Sequence, residues 1–115
     1  MVPVVGSFAT GGKVIEKGFS SYKKFQKVYG KAGYGMEWHH IVEQRKANIS
    51  RFGAERIHNI DNMIALPVDV HRKISGHYSS KISEYSNLRV RDWLNSQSFE
   101  EQYKYGLDVL KKYGY

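Results

Sequence analysis

The chain has 115 residues, which is enough for one domain and too few for a second hydrophobic core. It contains no cysteine, which excludes disulfides, thiolate-bound zinc and a thiol nucleophile. The net charge is +7, and residues 13–56 carry ten Lys/Arg against four Asp/Glu, so the excess lies in the N-terminal half. A basic half suits a polyanion such as nucleic acid, although the charge alone is equally compatible with a merely soluble basic surface.

The first twelve residues, MVPVVGSFATGG, are weakly apolar and end in Thr-Gly-Gly. They lack the charged start and long apolar run of a signal peptide. No stretch of the sequence approaches the ~20 apolar residues of a membrane helix. We interpret 1–12 as a linker or a joining scar and 13–115 as a single domain.

Hydrophobic periodicity and turn residues predict an α+β fold with two short strands between helices. Ser20 is the expected N-cap of the first helix, Pro67 suits the first turn of the helix after the second strand, and Ser98 with Glu101 forms a capping box. The helix after Pro67 is expected to bury Val70, Ile74 and Ile82. In chain order, the predicted elements are a helix over about 13–31, a strand over 36–42, an ambiguous helix-and-loop segment over 43–57, a strand over 60–66, and helices over about 68–82, 88–96 and 98–113.

The most informative pattern is a histidine pair, His39 and His40, followed by Asn62 and, after eight further residues, by His71. Adjacent histidines suit a hydrophobic core poorly, because each imidazole is half polar and titrates near neutral pH. Hydrolysis of a phosphodiester needs a base for the attacking water, a group that aims the base, and positive charge on the phosphate. These four side chains can supply a base, an orienting amide and two metal ligands, so the pattern predicts a metal-dependent nuclease.

The segments GMEWHHIVEQ (35–44) and NMIALPVDVH (62–71) resemble the HNH/endonuclease VII superfamily. The common HNH pattern has an apolar residue, Leu and His at +1, +4 and +9 from Asn, and here Met63, Leu66 and His71 follow Asn62 at those offsets. The tryptophan before the histidine pair and the HIVEQ run are most similar to WHH-type toxin nucleases at the C-termini of bacterial polymorphic toxins. The resemblance covers about 33–82 and implies a treble-clef-like ββα-metal core over about 36–82, with helices over about 88–113 beside it.

Carried over position by position, the resemblance gives each polar residue a role. His39 matches the first-strand metal ligand, and His71 matches the second ligand at the start of the helix. His40 matches the general base, and Asn62 matches the asparagine that tethers the connecting loop and orients the base. Glu37 matches an acidic residue that supports the site in nuclease colicins.

The chain departs from the family pattern at two places. Many HNH proteins place cysteines of a structural zinc site where this chain has Pro67 and Val70, so its core has to hold together by packing alone. Nuclease colicins have a third histidine where this chain has Ser75.

His77 is the remaining candidate for a third metal ligand. It lies about 120° around an ideal helix from His71, so it reaches the site only if Gly76 distorts the helix. Tyr78, about 20° from His71, is closer to the site face.

Basic side chains near these segments are candidates for contacts with the DNA backbone, which give affinity without reading sequence. A solvated basic face is the alternative for each of them. The sequence shows no recognition-helix or zinc-finger pattern, so we expect low sequence specificity. The candidates are Arg45, Lys46, Arg51 and Arg56 between the two segments, and Arg72 and Lys73 beside His71.

The expected function is that of an endonuclease that cleaves DNA with little sequence preference. Mg²⁺ is the expected ion, and two imidazoles would also accept Zn²⁺, Mn²⁺ or Ni²⁺. No small-molecule cofactor is expected. The toxin resemblance further implies secretion as part of a larger effector, delivery to the cytoplasm of a target cell, and an acidic immunity protein as partner.

Two alternatives stay open at this point. One is a non-toxin HNH nuclease from phage, restriction or repair, or one that cleaves RNA. The other is a non-catalytic basic module that binds DNA and uses its histidines structurally. Trp38 is interpreted as a core anchor rather than as a platform for base stacking.

Overall fold

A computed structural model describes residues 18–82 and 87–115, and these form a mixed α+β fold. The predicted linker over 1–12 and the start of the first predicted helix lie outside the described residues. The elements are α1 (Tyr22–Tyr29), β1 (Met36–His40), α2 (Lys46–Phe52), α3 (Ala54–Ile57), β2 (Met63–Pro67), α4 (Val68–Ser79), α5 (Val90–Leu94) and α6 (Phe99–Lys112).

The two strands form a short antiparallel sheet that carries the histidine pair. His39 lies opposite Ile64, and His40 lies opposite Met63. A single 3-10 turn, Ile60–Asn62, leads into β2, and α4 begins directly after that strand. This order places Asn62 directly before β2 and His71 in the first turn of α4. The predicted order of strand, strand and helix is present, but the second strand begins at Met63 rather than at Ile60 as predicted.

The hydrophobic core lies where α4 and α6 cover the sheet and the segment that follows β1. Ile74 of α4 and Leu66 of β2 are fully buried, and Leu110 of α6 belongs to the same apolar cluster. Gly106 lets α6 approach closely, because a Cβ at this position would come 2.6 Å from the carbonyl oxygen of Ile41. The C-terminal helix therefore packs against the segment that directly follows the strand carrying the histidine pair.

Several predicted details are wrong by a small shift. Ser21 rather than Ser20 caps α1, since its Oγ accepts from the Lys24 amide at 3.1 Å. Helix α4 ends at Ser79, so Ile82 lies beyond it and is 43% exposed. Ser98 does cap the last helix, as predicted, because its Oγ accepts from the Glu101 amide.

The longest helix of the described residues is α6, with 14 residues. Among the residues that the structure describes, no helix combines the length and the apolar character needed to cross a bilayer.

Candidate active site

His39 and His71 come together at the junction of β1 and α4. Their ring centroids are 5.2 Å apart, and the rings are inclined at 74°. His39 is 4% exposed, and its Nε2 atom is buried without a hydrogen-bond partner among the described residues. A buried polar atom without a partner costs free energy, so a native structure that keeps one calls for an explanation such as a bound ion.

Glu37 forms a hydrogen bond with the His71 ring. Its Oε1 lies 2.7 Å from Nδ1 of His71. Glu37 is two residues before His39, and side chains at i and i+2 of a strand share a face. A carboxylate on one ring nitrogen fixes the tautomer, so Nδ1–H donates to Glu37 and Nε2 of His71 keeps its lone pair.

The donor set fits a divalent cation. Burial, followed by the nearby His71, lowers the pKa of His39 to about 4, so the His39 ring is neutral at pH 7 and has a lone pair to offer. A ring separation of 5.2 Å is within the reach of one ion bonded to nitrogen at about 2.0–2.1 Å. Within 18–82 and 87–115, no group of three or more His, Asp or Glu side chains is arranged to hold a metal. The described part of the chain therefore offers two imidazoles at this place rather than three ligands.

His40 faces a different set of neighbours. It is 6% exposed, and its Nε2 lies 3.2 Å from Nδ1 of His58. The Tyr22 ring lies 5.2 Å from the His40 ring. Burial, followed by the nearby His58, lowers the pKa of His40 to about 3, so this ring is also neutral at pH 7. If Nε2–H of His40 donates to His58, then Nδ1 of His40 carries a lone pair.

His58 is a neighbour of the site that the histidine-pair pattern does not include. It is 4% exposed and immediately follows α3. The only sequence signal for it is a third histidine in the segment between the two motif segments. Its pairing with His40 depends on how α3 packs against β1, and sequence spacing does not give that.

Asn62 tethers the segment after β1. Its Oδ1 accepts from the Val42 amide at 2.8 Å, and its Nδ2 donates to the carbonyl oxygens of Val42 and Ile57, both at 3.0 Å. Its own carbonyl oxygen accepts from the Ile41 amide. These contacts fix the backbone next to His40, and none of the described contacts joins the Asn62 amide to the His40 ring.

His77 lies with α6 rather than with the histidine pair. Its Nε2 is 2.7 Å from the Tyr105 hydroxyl, and the two rings are stacked with centroids 5.8 Å apart. Helix α4 runs unbroken through Gly76, so the distortion that would turn His77 inward is absent from this described helix. Tyr78, which the helical spacing placed nearer the site face, is buried and lines the cavity beside His39.

A cavity of about 430 Å³ opens beside the pair, and residues from both halves of the chain form its wall. Arg91 donates to Glu43 with two nitrogens, at 2.8 and 3.1 Å, and to Ser79 Oγ at 2.8 Å. The Tyr78 hydroxyl has no partner in the described part of the chain, and burial raises the pKa of Tyr78. The histidines and charged residues of the wall are His39, His40, Glu43, Arg45, His71 and Arg91.

Three of the six predicted DNA-binding cations form hydrogen bonds with other residues of the chain. Arg45 donates to the Arg91 carbonyl oxygen at 2.8 Å, and Arg51 donates to the carbonyl oxygens of Asn95 and Gln97. Arg56 donates to Glu100 at 3.0 Å. The other three are exposed and form no ion pair within the described ranges: Lys46, Arg72 and Lys73.

No family model, curated protein or solved structure matches the chain.

Proposed function

We propose that this chain is a metal-dependent endonuclease that hydrolyses DNA phosphodiester bonds with little sequence preference. In this proposal β1, β2 and α4 form a ββα-metal core of the HNH type. The observation that carries it is the convergence of His39 and His71, where the buried His39 Nε2 has no partner in the described ranges and Glu37 is bonded to His71.

Nε2 of His39 and Nε2 of His71 are the atoms that would hold the ion, and Glu37 would orient the second of them. A bound divalent cation polarises the phosphoryl group and stabilises negative charge on the leaving oxygen. Two imidazoles suit Zn²⁺ and Ni²⁺ well and would also accept Mn²⁺, which prefers oxygen ligands, whereas Mg²⁺ would keep several of its own waters in such a site. Mg²⁺ stays the proposed physiological ion.

His40 is the proposed general base. Its ring is neutral at pH 7, and it lines the same cavity as the two ligands. A hydrogen bond from Nε2–H to His58 leaves Nδ1 free to accept a proton from water. An anionic phosphate in the cavity favours the protonated ring, because an opposite charge nearby raises the pKa of histidine.

The remaining residues bind and position. Asn62 keeps the backbone next to His40 in place through its three side-chain hydrogen bonds. Lys46, Arg72 and Lys73 are exposed and can bind phosphates without reading bases. Because phosphates are the same in every sequence, these contacts would bind DNA of any sequence.

The toxin role is the part of the proposal that rests on resemblance alone. We propose delivery of this domain to a target cell by a larger secreted effector, and protection of the producer by an acidic immunity protein. Expression of the domain in a bacterium should stop growth and fragment chromosomal DNA. Growth arrest with intact chromosomal DNA would contradict this role.

The direct test is plasmid digestion by the purified chain with Mg²⁺, Mn²⁺, Zn²⁺ or Ni²⁺, with and without a chelator, and with RNA as a parallel substrate. We expect cleavage that the chelator abolishes and that His39→Ala and His71→Ala lose. His77→Ala is the matched control, and it should cut like the parent because His77 is bonded to Tyr105. Salt-dependent DNA binding with no cleavage under any metal would instead indicate the non-catalytic module.

A further inference from the structure

A second cavity also has His71 in its wall. It also encloses about 430 Å³, which is in the range of pockets that hold small organic ligands. Trp38, Gln44 and His71 line both cavities, so the two cavities adjoin at the candidate metal ligand. A polymeric ligand that crosses the His39–His71 pair can therefore place one of its repeating units in each cavity.

The walls of the two cavities differ in chemistry. The first contains Arg45, Arg91 and Glu43, so it is strongly ionic. The second is lined by Tyr22, Met36 and Gln26. Its two charged residues are Lys31 and Glu37, and the Glu37 carboxylate is engaged with His71. An aromatic ring suits a base face, an amide suits a base edge, and an ammonium suits a phosphate.

Tyr22 is held firmly enough to serve as a stacking surface. It is the first residue of α1, and its ring lies 6.2 Å from the Phe25 ring in a stacked arrangement. On another side it contacts the His40 ring at 5.2 Å. The ring is thus positioned by buried neighbours while it lines the cavity.

We propose that the second cavity accepts one unpaired nucleotide next to the scissile phosphate, so that single-stranded or locally unpaired DNA is the preferred substrate. This inference rests on the proposed nuclease function. A base inside a duplex is stacked and paired on its edge, and it has to be flipped out before it can enter such a cavity. A single strand binds without that cost.

The test measures binding rather than cleavage, because Tyr22 touches the proposed base His40. Fluorescence anisotropy in the presence of a chelator compares a labelled single-stranded oligodeoxynucleotide, the same sequence as a duplex, and a series with one abasic position moved along the strand. We expect the single strand to bind roughly tenfold tighter than the duplex, and one abasic position to remove about that advantage. Equal binding of single strand and duplex, or no effect at any abasic position, would overturn the proposal.

Protein variants sharpen the same measurement. Tyr22→Ala should weaken binding of the intact single strand roughly tenfold and leave the best abasic strand unaffected, whereas Tyr22→Phe should bind like the parent. Tyr34→Ala is the matched control, since Tyr34 is fully exposed and lines neither cavity. If Tyr22→Ala does not fold, the abasic series on the parent protein still decides the question.

The outcomes separate this inference from the proposed function. Plasmid cleavage without any preference for single strands would contradict the nucleotide subsite and support the nuclease function. An abasic effect in a protein that cuts no DNA with any metal would keep a nucleotide site and remove the nuclease.

Discussion

His39 meets His71 and leaves a ring nitrogen without a partner among the described residues, whereas the adjacent His40 is hydrogen-bonded to His58. The two side chains are chemically identical and almost equally buried, and burial lowers the pKa of both. What distinguishes them is the partner that the alternation of a strand gives each one. One position is suited to hold a cation, and the other is suited to move a proton.

The largest effect on the cleavage rate should come from replacing His40 and His39 one at a time. His40→Ala should lower the rate of plasmid cleavage by ~10²–10⁴-fold, the usual contribution of a general base, and leave the affinity for the divalent ion unchanged. His39→Ala should lose both cleavage and ion binding. Initial rates of digestion, measured beside a metal titration, check this. If His40→Ala cuts as fast as the parent, the proposed base is wrong.

Asn62 fixes the backbone that follows His40, and its replacement should lower the stability of the fold more than it changes the chemistry at the histidines. The residue is fully buried, and Asn62→Ala leaves the Val42 amide and the carbonyl oxygens of Val42 and Ile57 without partners. We expect the free energy of unfolding to fall by about 3 kcal/mol in urea titrations. Asn87→Ala, at an exposed position, is the control. Equal stability of the two variants would contradict the tethering role.

Acid should weaken the metal-free fold through both histidines. Their folded pKa values, about 4 for His39 and about 3 for His40, lie below the ordinary value of 6.5, so the unfolded chain binds protons first as the pH falls. Above about pH 6.5 both rings are neutral in the folded and the unfolded chain, so they cost no stability. As the pH falls towards 4 and below, the free energy of unfolding decreases progressively, on the order of 3 kcal/mol for one histidine.

Urea titrations between pH 7 and pH 4, in a chelator, measure this loss. Carboxylates titrate in the same window, so the quantity of interest is the difference from His40→Asn, whose stability should depend less on pH. A variant with the same pH dependence as the parent would show that His40 is not buried as a neutral ring.

The smallest effect concerns the cations around the two histidines. Lys73→Ala should weaken DNA binding a few-fold and reduce the salt dependence by about one phosphate contact. Arg56→Ala should change DNA affinity less, because the Arg56 guanidinium is engaged with Glu100 and lies 4.1 Å over the Phe99 ring. Binding measured over a range of salt concentrations checks both. Equal losses would show that internal ion pairing does not decide which cations meet DNA.

The strand–strand–helix segment could be predicted from sequence because its signals are local. The spacing from Asn62 to His71 and the apolar positions between them predicted a strand followed by a helix, although β2 begins at Met63 and not at Ile60. Helical rotation placed Tyr78 nearer the face of His71 than His77 and left His77 a candidate ligand, and in the structure Tyr78 lines the cavity whereas His77 is bonded to Tyr105. Ser20 and Ser21 are equivalent in sequence, and only the backbone of the first turn shows which of them caps α1.

The long-range pairs could not be predicted in this way. Arg91 and Glu43 are 48 residues apart, and His40 and His58 are 18 apart, so their meeting depends on how α5 and α3 pack. The same reason explains why Arg45 lies in internal contacts although it looks like a free surface cation in the sequence. Local spacing identifies the residues of the site, and tertiary packing assigns their partners.

Metal binding tests the central claim most directly. Calorimetric titration of the metal-free protein with Zn²⁺ or Ni²⁺ should show a single ion that His39→Ala and His71→Ala no longer bind, that His77→Ala binds like the parent, and that Glu37→Gln binds about tenfold more weakly. A parent protein that binds no ion, or His39→Ala and His71→Ala variants that bind it as tightly as the parent, would contradict the account.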